Sequence, residues 1–207
     1  MVTTAHADTA SQVRSRLMSA MVECIAELGY RATTVADVVR VARVSRRSFY
    51  EHFSDKTACF IAVLREANQE IIDSVDAAVD PSAPWTEQVR SAVTAYVRAN
   101  ETHPGLTLSW IRELPALGDS ARAVKAEGIE AWTRLFERIT STPQVAAAGI
   151  PQITRPTAII VWGGIRELTA NAMESGAPLS SIIEPATQAC VALLSGTRTD
   201  SSAQQAT

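Results

Sequence analysis

Between Thr33 and Lys56 the sequence reads TTVADVVRVARVSRRSFYEHFSDK, and no other stretch limits the possible fold so tightly. Two apolar-periodic runs, Val35–Val41 and Ser45–Phe53, are too close together for anything but a tight turn between them. Thr34 with Asp37 three residues on has the pattern of a capping box, Asp taking the place of the usual Glu or Gln. Ser45 supplies a second N-cap, and Ser54 opens a third helix that continues through Asp55 and Lys56. Two helices joined by so short a turn form a helix-turn-helix, whose second helix can enter a DNA major groove.

The charges agree with that use. Arg40, Arg43, Arg46 and Arg47 cluster with no acidic residue between Asp37 and Glu51. Arg46 and Arg47 fall in the first turn of the second helix, where the macrodipole disfavours a cation by roughly 0.3–1 kcal/mol. A phosphate or a guanine edge offsets that cost. Arg47 is the candidate for a base edge, and Arg46 for a phosphate or a base. Ser45, Ser48, Tyr50 and His52 complete the face expected to be exposed, while Phe49, Phe53, Val38 and Val44 are expected in the core.

Thr34, Val38, Ala42, Val44, Ser45, Phe49, Tyr50, His52, Phe53 and Lys56 stand where TetR-family transcriptional regulators carry their signature. The chain resembles that family over Gln12–Lys56. The resemblance implies that Tyr50 and His52 contact phosphates; Lys56, at the start of the following helix, is a further phosphate-contact candidate, where helix N-terminal amides add donors. The resemblance also implies a symmetric dimer, with a long helix from Asp55 to Val79 transmitting ligand state from body to head. Two residues depart from the pattern. Arg43 replaces the turn glycine, and Val39 replaces a small alanine. A side chain at a left-handed turn position costs roughly 1–2 kcal/mol, so Arg43 either reshapes the turn or adds a phosphate contact. Thr34, at the start of the first helix of the motif, joins the candidate DNA-binding residues.

Composition bears on the partner. The net charge of the 207 residues is −3, which by itself argues against a general nucleic-acid binder. The average hides an asymmetry: residues 1–56 carry +2 and the remainder −5. A basic head on an acidic body suits a protein that touches DNA at one end. Cys24, Cys59 and Cys190 are odd in number, widely spaced and set in apolar helical patterns, as buried reduced thiols of a cytoplasmic protein would be. The most apolar run, Ala158–Ile165, is too short to span a bilayer, and no signal peptide is evident.

The rest of the chain reads as helices throughout, about nine in all, with no strand alternation. Residues 1–11 are small and polar and read as a disordered arm. Residues 12–56 form the DNA-binding domain, 57–196 a helical ligand-binding and dimerisation domain, and 197–207 a Ser/Thr/Gln-rich disordered tail. Expected helices cover Gln12–Leu28, Asp55–Val79, Trp85–Asn100, Leu106–Leu114, Asp119–Thr140, Thr157–Ser175 and Ser180–Ser195, separated by Gly and Pro clusters. Thr157–Ser175 is apolar nearly all round and is expected to be buried on every face. The last two large helices carry more apolar surface than one subunit can cover, which points to a two-fold dimer through four helices. Two recognition helices about one DNA turn apart then require a near-palindromic operator.

No catalytic constellation is present. His6, His52 and His103 fall in the arm, the head and a turn, and no metal-spaced cluster, phosphate loop or nucleophile elbow occurs. No cofactor or metal is expected. A small-molecule pocket in the body is the better reading, with Trp110, Trp132, Phe136, Trp162 and Met173 as apolar lining. Arg166, Glu167 and Asn171, polar residues on an otherwise apolar helix, are candidates to orient a ligand's polar end, to pair with other groups or to lie at the rim of a dimer. The expected function is a homodimeric regulator, a repressor, released from DNA by a small, mainly apolar effector. The competing reading keeps the helical dimer but makes it a ligand-binding or protein-interaction module with a degenerate head, on the strength of Arg43.

Overall fold

In the computed structural model, residues 3–196 are described. Among them ten α-helices occur and no strand. These are α1 (Thr3–Ala32), α2 (Val35–Ala42), α3 (Arg46–His52), α4 (Lys56–Ala78) and α5 (Trp85–Glu101). They continue with α6 (Pro104–Arg112), α7 (Asp119–Thr140), α8 (Pro143–Ala147), α9 (Arg155–Ser175) and α10 (Ile183–Gly196). Short 3₁₀ turns at Leu114–Ala116 and Leu179–Ile182 follow α6 and precede α10. The all-α class agrees with the sequence reading. The additional helix is α8, a single turn in what reads as a loop: Pro143 occupies its first turn, where a missing N–H costs nothing.

α1 begins at Thr3, so most of the stretch read as a disordered arm is helical. Ala5, Ala7 and Ala10 are strong helix formers and favour continuing the helix backwards from Gln12. The tail from residue 197 lies outside the described residues. At the other end of α1 the helix is interrupted at Gly29 (φ 76°, ψ 158°), a conformation open to glycine and closed to most side chains. Thr33 ties off the break, its N–H and hydroxyl both donating to the Gly29 carbonyl at 3.1 and 2.8 Å.

The chain forms two compact units that cut across the sequential division at residue 56. The first takes the chain up to Gln69 together with His103–Lys125; the second takes Glu70–Thr102 and the chain from Ala126. In the first unit Leu17, Met21 and Cys24 of α1 meet Val38, Phe49 and Phe53, and Phe60 and Leu64 of α4. α6 packs on α1 and adds Leu106 and Trp110 to the same core. Phe49, Phe60, Leu17 and Leu64 are fully buried, each stabilising the unit by about 1.5–3 kcal/mol. The second unit has its core between α5, α7, α9 and α10, around Val93, Tyr96, Trp132, Leu135, Val161 and Trp162.

α9 is not buried on every face. Ile159, Ile160, Gly163, Gly164, Glu167, Leu168 and Asn171 form an exposed stripe at helical spacing, Ile160 being 59% exposed. Uniform hydrophobicity along a sequence cannot tell a helix packed all round by its own chain from one that leaves a face for another molecule. No helix among the described residues is long and apolar enough to cross a membrane.

Candidate nucleic-acid interface and body cavity

The head is built from local capping. Thr34 and Asp37 form the capping box of α2: Asp37 N–H donates to Thr34 Oγ1 at 3.3 Å, and Thr34 N–H donates to Asp37 Oδ2 at 3.1 Å. The Thr34 hydroxyl also donates to Asp37 Oδ2 at 2.6 Å, and these bonds hold the Asp37 carboxyl below its ordinary pKa. Ser45 caps α3, its Oγ accepting from the Ser48 N–H at 3.0 Å.

Between the two helices Arg43 takes the left-handed conformation itself (φ 53°, ψ 48°), as the only non-glycine with positive φ among the described residues. Its N–H bonds to Arg40 O and the Val44 N–H to Val39 O, closing α2 as a glycine cap would. The turn is kept, not reshaped. Arg16 of α1 reinforces it: its Nη2 donates to the carbonyls of Ala42 and, at 3.1 Å, of Arg43. A guanidinium on the carbonyl end of α2 satisfies acceptors that have no partner in the helix and complements its dipole. The role of Arg16 as a tie between α1 and the turn is legible only in three dimensions.

Phe49 and Phe53 anchor α3 to the core, 5.8 Å apart between ring centroids. With that face buried, the opposite face carries Arg46, Arg47, Tyr50 and Glu51 into solvent, Arg47 with 89% of its side chain exposed and Tyr50 at 57%. Ser48 and His52 are half-buried at its margins. Arg47 Nε donates to Glu51 Oε1 at 3.1 Å. Arg43 is also exposed, one turn before α3.

Lys56 behaves differently from a free phosphate contact. Its ammonium donates to the carbonyls of Tyr30 (2.9 Å), Thr33 (2.8 Å) and Arg31 (3.4 Å) and lies 4.3 Å from the Tyr30 ring centroid. Burial lowers its pKa. The three hydrogens of the ammonium are thus directed at protein carbonyls, and Lys56 clamps the start of α4 to the end of α1. Tyr30 completes the clamp, stacked on Phe60 at 4.1 Å and bonded to Thr57 at 3.2 Å.

The body contains an apolar cavity of about 60 Å³. Trp132, Phe136 and Trp162 line it, as read from the sequence, joined by Tyr96, Ile165 and Cys190 among others. Tyr96 packs edge-on against Trp132 at 5.7 Å. Burial pushes the Tyr96 phenol up, against the smaller opposing effects of its hydrogen bond to Thr169 and the nearby Arg166 guanidinium. The cavity's other hydroxyl, Thr140 Oγ1, donates to Phe136 O at 2.8 Å and accepts from the Ile153 N–H at 3.2 Å. Burial raises the Cys190 thiol to about 11.

Five of the residues read as a ligand set do not line the cavity. Trp110 packs in the head core because α6 returns to α1. Met173 packs against the body core near Trp132 and Leu179, away from the cavity wall. Glu167 and Asn171 are on the exposed stripe of α9. Arg166 stands behind the wall, its guanidinium 4.4 Å from the Trp162 ring centroid. Among the described residues no three His, Cys, Asp or Glu side chains converge as a metal site.

Residues 17–63 match the family profile described as bacterial regulatory proteins, tetR family. They span α2, α3 and parts of their flanking helices, the elements whose geometry is given above. Over these residues the chain belongs to the tetR family of bacterial regulatory proteins. Its sequence is 29% identical over 105 residues to the HTH-type transcriptional regulator YhgD of Bacillus subtilis (strain 168), covering 51% of this chain and 54% of YhgD. It is 26% identical over 127 residues to the HTH-type transcriptional repressor DhaR of Mycobacterium sp. (strain GP1), covering 61% and 64%. The chain therefore spans only about half to just under two thirds of the curated relatives it matches. Its fold follows that of a transcriptional regulator FadR from Bacillus subtilis, solved in complex with stearoyl-CoA, with a TM-score of 0.73, 19% identity and coverage of 88% and 98%. All three are named for regulation, not for turnover of a substrate.

Proposed function

We propose that this TetR-family regulator is a homodimeric repressor that binds a near-palindromic operator and leaves it when a small, mainly apolar effector enters the body. The observation that carries the DNA half is the outward face of α3. Its cations cap nothing and stabilise no core, and they sit at a helix start where the dipole disfavours them, so their use lies in an anionic partner. In this reading Arg47 meets a base edge and Arg46, Arg43, Tyr50 and His52 position the duplex, with Ser45 and Ser48 beside them. Lys56 and Thr34 serve DNA indirectly, by fixing the ends of α4 and α2. DhaR, named a repressor, supports the sign of regulation.

The dimer rests on the α9 stripe together with Pro185, Ala189, Ala192 and Leu193, exposed at the same spacing on α10. Space beside Gly163 and Gly164 is open: a Cβ built at either meets nothing within 4 Å. Small residues on an apolar face suit close packing of a second copy about a two-fold axis.

The effector must remodel the cavity. A dry cavity of roughly 150 Å³ accepts benzene, and the one here is less than half that size. A ligand therefore binds a widened body more tightly than the one described, and by linkage it shifts the protein toward that state. α4 is one continuous helix with Lys56 at its start and Val75 on the cavity wall, which makes it the element through which widening reaches the head. The stearoyl-CoA of the FadR complex is one instance of an effector with a long apolar part, which is the part the wall here favours.

The test is a mobility-shift titration of the full chain on duplex DNA from upstream of its own gene, repeated with rising salt. Operator binding by a few phosphate contacts per head weakens steeply with salt. A protein that ignores every duplex at low salt would end this reading.

A further inference from the structure

We propose that Glu51 is a specificity-determining positioning residue, holding the Arg47 guanidinium so that its terminal Nη1/Nη2 edge faces guanine in the operator. The inference rests on the assignment of α3 as the recognition helix. Glu51 is the only acidic residue of α3 and lies on its exposed face. A carboxylate on a surface that approaches phosphates opposes binding, so the position needs a compensating use. The geometry supplies one. Glu51 Oε1 accepts from Arg47 Nε at 3.1 Å across one helical turn. A guanidinium reads guanine O6 and N7 with two parallel N–H groups, taken from either its Nε side or its terminal edge. With Nε engaged by Glu51, the terminal edge is the pair left to do so, and the plane of the fork is held. A free arginine on a flexible stem can instead turn to the nearest phosphate, which contributes affinity without sequence preference.

The full-length protein is used to select duplexes from a randomised library. The preferred duplex is then titrated against versions with each guanine in turn replaced by adenine. Wild type should disfavour one such replacement per half-site by about tenfold. Glu51→Ala should lose that discrimination while binding random duplex as tightly as wild type or more so, because a negative charge is gone. Glu51→Gln keeps an acceptor for Nε and should restore the preference. In an Arg47→Lys background, which has no fork, Glu51→Ala should change guanine discrimination no further. Undiminished guanine discrimination in Glu51→Ala would overturn the proposal and leave the recognition-helix assignment intact. A wild-type protein that shows no sequence preference would overturn both.

Discussion

On α3 the positions left exposed are Arg46, Arg47, Tyr50 and Glu51; on α9 the exposed positions include Ile159, Ile160, Gly163, Gly164 and Leu168, with Glu167 and Asn171 among them. Both helices anchor one face in a core, through Phe49 in the head and through Val161 and Trp162 in the body. Their outward faces differ in what would satisfy them. The α3 face is well solvated alone and gains from a polyanion; the α9 face gains from removing apolar area from water, at about 25 cal/mol per Å². The interiors differ too. In the head Phe49, Phe60 and Leu64 are fully buried and the Arg16 and Lys56 ties hold the helix ends, and in the body a cavity lies among Tyr96, Trp132 and Trp162. A head so tied holds a fixed reading surface, and an incompletely filled body can yield to a ligand.

Truncating each core gives the sharpest test of that difference. Phe49→Ala and Trp132→Ala should each destabilise the protein by about 3–5 kcal/mol in denaturant titrations. Indole should restore part of the loss in Trp132→Ala, where it enters an enlarged cavity, and none in Phe49→Ala. Equal rescue of both would erase the distinction between a tied head and a yielding body. Ile160→Asp places a charge on the α9 stripe and should weaken self-association by about 3–5 kcal/mol if that face is buried between copies. Sedimentation would show monomers, and operator affinity would fall with them. Arg47→Ala should leave the dimer intact and weaken operator binding by about 1–3 kcal/mol in mobility shifts.

Two smaller effects refine the picture. Burial raises the Cys59 thiol to about 12 and the Cys190 thiol to about 11, above the ordinary value of 9.0. Both stay neutral in the folded protein while the unfolded chain ionises. Their contribution to stability is therefore full below about pH 9.0 and is lost as pH rises through 11 and then 12. Melting temperatures across that range should fall less steeply in Cys190→Ala. Arg43→Gly relieves a left-handed side chain and should stabilise the head by about 0.5–1 kcal/mol, net of the added freedom of glycine in the unfolded chain. If the Arg43 guanidinium meets a phosphate, the same change lowers the slope of operator affinity against salt by about 1.

What could be read directly from the chain was local. The capping pairs Thr34–Asp37 and Ser45–Ser48, the spacing of Phe49 and Phe53 and the break at Pro81–Pro84 act within a few residues, so the bounds of α2 and α3 and the end of α4 were legible, as was the exposure of Arg46 and Arg47. The one-turn α8 escaped because a single proline-led turn has no periodicity to detect. Three of the aromatic residues expected in a pocket meet at one wall, and Trp110 does not, since apolar spacing marks an inward face without saying which neighbour it faces.

Tertiary packing decided the rest. Arg16 finds the carbonyls of Ala42 and Arg43 across about 26 residues of chain, and Lys56 those of Tyr30 and Thr33 across a similar span. Neither acceptor is marked by any local pattern, because every residue has a carbonyl and only the fold leaves particular ones unpaired. The cavity likewise exists only where α4, α5, α7, α9 and α10 bring Val75, Tyr96, Trp132, Trp162 and Cys190 together. Helix periodicity is a property of one segment; a wall shared by several segments depends on how they cross, and that is a property of the folded chain alone.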